Sequence, residues 1–253
     1  MAPARTEDDG LDFDVSIEEV PVTVQRRPFM QKKGDERLKD PGIPRANIAA
    51  SAEEPKGTQK DDWARKYKHQ TVLQQHLSYF DPDADGIIWP LDTYNGFRAL
   101  GYNIFLSLFS LLIIHLNFSY PTLPPGHFLP DPFFRIYISR IHKDKHGSDS
   151  GTYDTEGRFV PQKFEDIFAK YAGGDKMGIT KGEVWNYMKG QRLYADPAGW
   201  GAAAFEWIAT YILLWPEDGR MKKEDIRRIY DGSLFFEIAA KRKEQGKQKI
   251  NGF

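Results

Sequence analysis

Residues 81–92, Asp81-Pro-Asp-Ala-Asp-Gly-Ile-Ile-Trp-Pro-Leu-Asp92, constrain this chain more than any other stretch. Counted from Asp81, carboxylates fall at positions one, three, five and twelve. Gly86 stands at position six, where the backbone must turn through a conformation that side chains resist. This is the spacing of an EF-hand loop, a structure that requires a helix on either side. Asp81, Asp83, Asp85 and Asp92 are the candidate carboxylate ligands, Ile87 offers its backbone carbonyl, and water completes the shell at Trp89. Hard oxygen donors favour calcium or magnesium over softer metals. Asp92 replaces the longer Glu that normally gives both oxygens at position twelve, so a calcium site of reduced selectivity is expected. The competing reading is an acidic turn that caps the next helix.

Helical spacing of Trp63, Tyr67, Leu73, Leu77 and Phe80 predicts an entering helix from Asp61 or Asp62 to Phe80. A second helix is expected from near Leu91 through Leu100 and on into Ile104–Phe118. That last run of fifteen residues carries no formal charge and would span about 22 Å as a helix, short of the roughly 30 Å hydrocarbon core of a bilayer. It ends in Pro121-Thr-Leu-Pro-Pro-Gly-His-Phe-Leu-Pro-Asp-Pro132, where repeated proline forbids further helix. A buried core helix is one reading. A short hydrophobic hairpin entering a single leaflet accounts better for a run apolar on all faces in an otherwise polar chain. The basic cluster from Arg135 to His146 suits an anionic interface.

The expected organisation is mainly α. A mobile polar N-terminal tail (1–60) precedes an EF-hand region (61–103), then the hydrophobic segment and proline knot (104–132), then a helical C-terminal region (133–245). Helices are predicted over Lys163–Ala172, Lys181–Lys189, Gly201–Trp215 and Lys223–Arg242. EF-hands usually come in pairs, and two later stretches fit the frame without its ligands. Ala172–Glu183 places Ile179 at position eight, and Leu214–Asp225 places Met221 there. One of these degenerate units is expected to pack against Ile88. Charge is nearly balanced, 35 Lys and Arg against 36 Asp and Glu, which argues against nucleic-acid binding. The chain has no cysteine, so disulfides, thiolate catalysis and Cys-held metals are excluded. The first residues resemble no secretory signal, and the cytosolic face of a cell fits best.

The six histidines are His69, His76, His115, His127, His142 and His146, and taken singly each reads as structural. Their setting is more specific. Leu73-Gln-Gln-His76, the acidic loop, Thr93-Tyr-Asn-Gly96 and Leu100-Gly-Tyr-Asn103 lead into the apolar run and its prolines. Pro132-Phe-Phe, Ile141-His-Lys-Asp-Lys-His-Gly-Ser-Asp-Ser150, Tyr153-Asp-Thr-Glu-Gly-Arg-Phe159 and Asp231-Gly-Ser-Leu-Phe235 follow in order. Over roughly residues 62–240 this set resembles the caleosins, or lipid-body peroxygenases.

The resemblance implies a protein of lipid droplets and endoplasmic reticulum, on their cytosolic face, anchored in the lipid monolayer by the apolar segment. It implies haem b and Ca2+ as cofactors. The implied activity is transfer of one oxygen atom from a fatty acid hydroperoxide to unsaturated fatty acids or other acceptors. The family's haem histidines match His76 and His146, with His76 expected as axial ligand and His146 as distal or second ligand. Neutral imidazole suits ferric haem, and a second imidazole can take and return the hydroperoxide proton. Self-association is compatible with this reading. The chain departs from the family at Asp92, in its proline segment, and at Ile229-Tyr230, near which plant members carry cysteine. The alternatives are a calcium-responsive structural protein of droplets without catalysis, and a soluble calcium sensor in which Ile104–Phe118 is core.

Overall fold

The computed structural model describes residues 47–251, with side chains to residue 246; the tail expected over residues 1–46 lies outside them. Nine α-helices are described: α1 Trp63–Lys66, α2 Val72–Leu77, α3 Pro90–Ala99, α4 Ile104–Phe118, α5 Pro161–Tyr171, α6 Lys181–Gln191, α7 Pro197–Leu214, α8 Lys223–Tyr230 and α9 Ser233–Asn251. Four short strands accompany them: β1 Ile87–Ile88, β2 Ile136–Tyr137, β3 Gly178–Thr180 and β4 Arg220–Lys222. The mainly helical architecture follows the sequence patterning, but three expected helices are broken.

The entering helix is interrupted between α1 and α2. Thr71 caps α2 by accepting from the Gln74 amide, while the Gln74 side chain takes the Thr71 amide in return. The buried Gln75 side chain donates to the carbonyls of Asn47, Tyr67 and Gln70 and so satisfies the break. The helix expected from Leu91 to Phe118 divides at Gly101, which has a φ of +93°, and Asn103 caps α4 through the Leu106 amide. The helix expected over Lys223–Arg242 divides at Gly232, with a φ of +77°.

The strands organise the helices into two pairs of helix–loop–helix units. β3 pairs antiparallel with β4, with Ile179 opposite Met221. The two degenerate loops therefore pair with each other. Neither reaches Ile88, which overturns the expectation that one of them partners the acidic loop. Ile88 lies instead opposite Ile136, and Ile87 opposite Tyr137, in the β1–β2 ladder. The partner of the acidic loop is thus the chain that returns from the proline segment. Its apolar match to Ile88 was hidden by a loop with no ligand pattern.

Two apolar clusters result. One gathers Val72, Phe159, Phe164, Ile179, Trp207 and Met221. The other gathers Phe80, Ile88, Phe97, Ile136, Ile229 and Phe235, and Leu214 packs against both. Residues 47–60, expected as the end of a mobile tail, meet the folded part at two points, Ala49–Ser51 and Gly57–Thr58, with 52–56 exposed between them. Ala49 and Ala50 are buried, and the Arg227 guanidinium donates to the Ala49 carbonyl at 2.7 Å and the Thr58 hydroxyl at 3.1 Å.

Helix α4 carries apolar side chains on its outward face as well as its inward one. Its buried residues are Ser107, Ser110 and His115, whereas Phe105 is 83% exposed, Phe109 53%, Leu112 55% and Leu116 63%. Phe128 and Leu129, in the proline loop beyond it, are each 82% exposed. Leu106, Ile114 and Phe118 pack on the second apolar cluster, so one apolar face of α4 meets the protein and the other, with Phe105, Phe109, Leu112 and Leu116, is left exposed. The helix is not wholly buried, which the core-helix reading requires. No helix among the described residues is long and apolar enough to cross a membrane.

Candidate functional site

The acidic loop follows α2 through a 3-10 turn, Ser78–Phe80, and leads through β1 into α3. Phe80 stacks on Phe97 at 5.4 Å, which fixes the entering and leaving segments against each other. Carboxylate oxygens of Asp81, Asp83 and Asp85 all lie within 4.8 Å of one another. Gly86 turns the loop at a φ of +83°. The Gly86 and Asp85 amides donate to the Asp81 carboxylate at 2.9 and 3.2 Å, and the Ile87 amide donates to Asp85 at 2.7 Å. Burial raises the Asp81 carboxyl above its ordinary value, and the neighbouring Asp83 and Asp85 add to this. A divalent cation would relieve that crowding, so the donor set fits one. Asp92 stands apart from the trio. Its carboxylate accepts the Trp89 amide at 3.0 Å and caps α3.

His76 occupies the last turn of α2. Its Nδ1 lies 2.7 Å from the Ile229 carbonyl oxygen; a carbonyl only accepts, so Nδ1 carries the proton and Nε2 keeps its lone pair. Nε2 has no hydrogen-bond partner among the described residues. The Phe235 ring meets the imidazole edge-on at 5.0 Å. Gly232 permits this seat: a Cβ there would come within 2.6 Å of the Gln75 carbonyl and 2.9 Å of His76 Cα. The run Asp231-Gly-Ser-Leu-Phe235 thus brings α8 and α9 against the helix that carries His76. Burial holds the His76 pKa below 6.5, against opposing effects of the Ile229 carbonyl and Glu206.

His146 follows the 3-10 segment Ile138–Asp144, which packs against α2. The Ser148 amide donates to Asp196 at 2.8 Å, and Asp196 also caps α7 through the Gly199 amide. The start of α7 and the His146 run are therefore fastened together. Further along α7, the Glu206 carboxylate lies 3.6 Å from His146 Nε2, an electrostatic contact beyond hydrogen-bond reach. Both ring nitrogens of His146 are buried without a hydrogen-bond partner. Glu206 raises the His146 pKa despite burial, and its charge acts on His76 as well. Glu206 was not singled out from sequence. The one available signal was that it is the sole charged residue between Pro197 and Leu214.

The donor chemistry fits haem iron. His76 offers Nε2 with its opposite nitrogen tied to a backbone carbonyl, an arrangement that orients a ligating imidazole, and His146 has two uncommitted nitrogens. Two surface cavities, of about 430 and 460 Å³, are lined by neither histidine. Tyr230 lies close by: its hydroxyl is 2.9 Å from Ser150 Oγ, and its carbonyl accepts the Tyr153 hydroxyl at 2.6 Å. Burial pushes the Tyr230 phenol up to about 12, so it stays protonated.

His115 has a different role. Its Nδ1 donates to the Phe134 carbonyl at 2.6 Å, and its Nε2 accepts the Thr93 hydroxyl at 2.8 Å. It ties α4 to α3 and to the chain leaving the proline loop. His69 and His127 are exposed.

Residues 68–239 match the sequence profile of the family described as Caleosin related protein. The chain belongs to the caleosin family. It is 39% identical over 217 residues to a peroxygenase of Lilium longiflorum, covering 86% of this chain and 87% of that protein. A Probable peroxygenase 4 of Arabidopsis thaliana is 38% identical over 182 residues, 72% of this chain and 92% of the relative. A protein of the same plant named Probable inactive peroxygenase-like protein is 33% identical over 162 residues, 61% and 75% of the two chains. No solved structure matches. On the strength of the two nearer of these relatives, this caleosin is a peroxygenase-type enzyme.

Proposed function

We propose that this caleosin is a haem- and calcium-dependent peroxygenase working at the cytosolic surface of lipid droplets and endoplasmic reticulum. It would transfer one oxygen atom from a fatty acid hydroperoxide to an unsaturated fatty acid or another acceptor. The observation that carries the reading is the seat of His76, with Nδ1 bound to the Ile229 carbonyl and Nε2 left open. His76 would hold the haem iron through Nε2, and His146 would supply the second imidazole of the site. When bound, the haem supplies the redox chemistry of oxygen transfer.

The chain's own groups handle orientation and the proton. The Ile229 hydrogen bond fixes the His76 tautomer, and Phe235 limits rotation of its ring. His146, if it stays off the iron, takes the hydroperoxide proton on a ring nitrogen and returns it to the departing oxygen. Glu206, with its charge next to Nε2, favours the protonated imidazole. Calcium is assigned to Asp81, Asp83, Asp85 and the Ile87 carbonyl, with Asp92 reached through a change in its present capping contact or through water. The antiparallel pairing of Ile88, at the eighth position of the acidic loop, with Ile136 gives that loop the strand partner an EF-hand needs. The outward apolar face of α4 and the tip at Phe128 and Leu129 are assigned to the lipid monolayer, where large apolar side chains are favoured and a single leaflet needs no full span.

The test is the absorption spectrum of the purified protein. The wild type is expected to show a Soret band and to consume cumene hydroperoxide, and His76→Ala to lose both. A His76→Ala protein with an unchanged spectrum and turnover would overturn the assignment.

A further inference from the structure

The acidic loop and the proline loop are joined by several independent contacts. Ile88 pairs with Ile136 and Ile87 with Tyr137, and the Ile138 amide donates to the carbonyl of Gly86, the turning residue of the acidic loop, at 3.0 Å. Trp89 packs on Phe133 at 5.9 Å. The Arg135 guanidinium lies 5.2 Å from the Trp89 ring centroid and 5.6 Å from that of Phe133, while Asp131 anchors the same guanidinium at 2.7 Å. Thr93, next to Asp92, holds His115, whose other nitrogen holds the Phe134 carbonyl. Phe128, Leu129, Phe133 and Phe134 at the far side of these contacts are exposed.

We propose that occupancy of the Asp81–Asp92 loop by a divalent cation sets the position of the 119–135 loop, so that docking onto a lipid surface follows the metal. The inference rests on the calcium and lipid assignments of the proposed function. The physical route is short. A cation drawing Asp81, Asp83 and Asp85 together, with the Ile87 carbonyl, fixes the Gly86 turn and β1. The ladder and the Arg135 stack carry that order into 131–138. The Thr93–His115–Phe134 chain carries it to α4, the helix with the outward apolar face. Without the cation the carboxylates repel, β1 loosens, and the aromatic tip is held less firmly against the lipid.

Hydrogen exchange of the haem-free protein, with calcium or with chelator, tests this, alongside calorimetry of calcium binding and co-flotation with phosphatidylcholine-coated triolein droplets. Calcium is expected to slow amide exchange across 131–138, as well as 81–92, by about fivefold or more, the lower range of site-to-site coupling, and to increase flotation. Thr93→Val and Arg135→Gln are expected to keep calcium binding while reducing both responses; two variants at different contacts keep the test intact if one misfolds. Calcium binding that slows exchange in 81–92 alone overturns the coupling and leaves the metal site standing. Flotation equal with calcium and chelator overturns the docking response and leaves lipid binding standing. No calcium binding overturns the metal assignment and the coupling together.

Discussion

At the residue scale, the fold holds two imidazoles in their neutral form for structural reasons. His115 is 2% exposed, and burial lowers its pKa below 6.5 against the opposing Phe134 carbonyl and Asp92; burial does the same to His76. The unfolded chain therefore takes up protons more readily near and below pH 6.5. Stability from these groups is fully present above that pH and falls as the pH drops toward the lowered native values, by up to about 1.4 kcal/mol per pH unit for each group. Urea unfolding at pH 7.5 and pH 5.5 should show the loss, and His115→Gln should show a smaller one. His146 is shifted the other way, raised by Glu206. Its contribution is present at low pH and lost as the pH rises past the raised value. Glu206 is 55% exposed, so Glu206→Gln should cost about 0.5 kcal/mol or less at pH 6 and almost nothing at pH 8. In NMR titration of the haem-free protein, the same variant should lower the His146 pKa.

At the element scale, α4 shows an apolar run divided between two faces, one packed and one exposed. Its uncharged run predicts a lipid-seeking helix; inward it buries two serines and a histidine beside Leu106, Ile114 and Phe118, and outward it exposes Phe105, Phe109, Leu112 and Leu116. Phe109→Glu with Leu112→Glu should abolish droplet flotation while shifting the melting temperature little, because both side chains are exposed. Ser107→Leu should instead destabilise by about 1–3 kcal/mol, since a larger side chain has no room at a fully buried site; thermal unfolding checks both. Other elements were less legible. The acidic loop could be read from spacing because coordination demands specific residues at specific positions. The partner of Ile88 could not, because Ile136 lies in a segment whose loop carries no ligand pattern. Long helices were expected where Gly101 and Gly232 divide them. A single glycine is tolerated within a helix, so only the neighbouring chain shows that a left-handed turn is required. His76 is singled out by its place in the Leu73-Gln-Gln-His76 run, whereas Glu206 depends on how α7 is placed across the fold.

At the scale of the whole molecule, residues 47–60 and the α8–α9 junction form a clasp around one buried charge network. Arg227 and Asp231 are each 1% exposed, and the Thr58 hydroxyl donates to Asp231 at 2.5 Å. Arg227 keeps the Glu224 carboxylate in an Asp231→Ala variant, but the buried Thr58 hydroxyl and Ser233 amide lose their acceptor, which should cost about 1–3 kcal/mol. Chemical denaturation measures the loss. Because Gly232 and Ile229 flank the same residue, the variant should also loosen the seat of His76. The clasp, the acidic loop and the His146 run thus converge on α2, a six-residue helix that carries the imidazole assigned to haem. The absorption spectrum of the purified protein, compared with that of His76→Ala, tests this arrangement most directly. The account predicts a Soret band and hydroperoxide-dependent oxygen transfer in the wild type, both lost in the variant; a wild-type protein that binds no haem would contradict it.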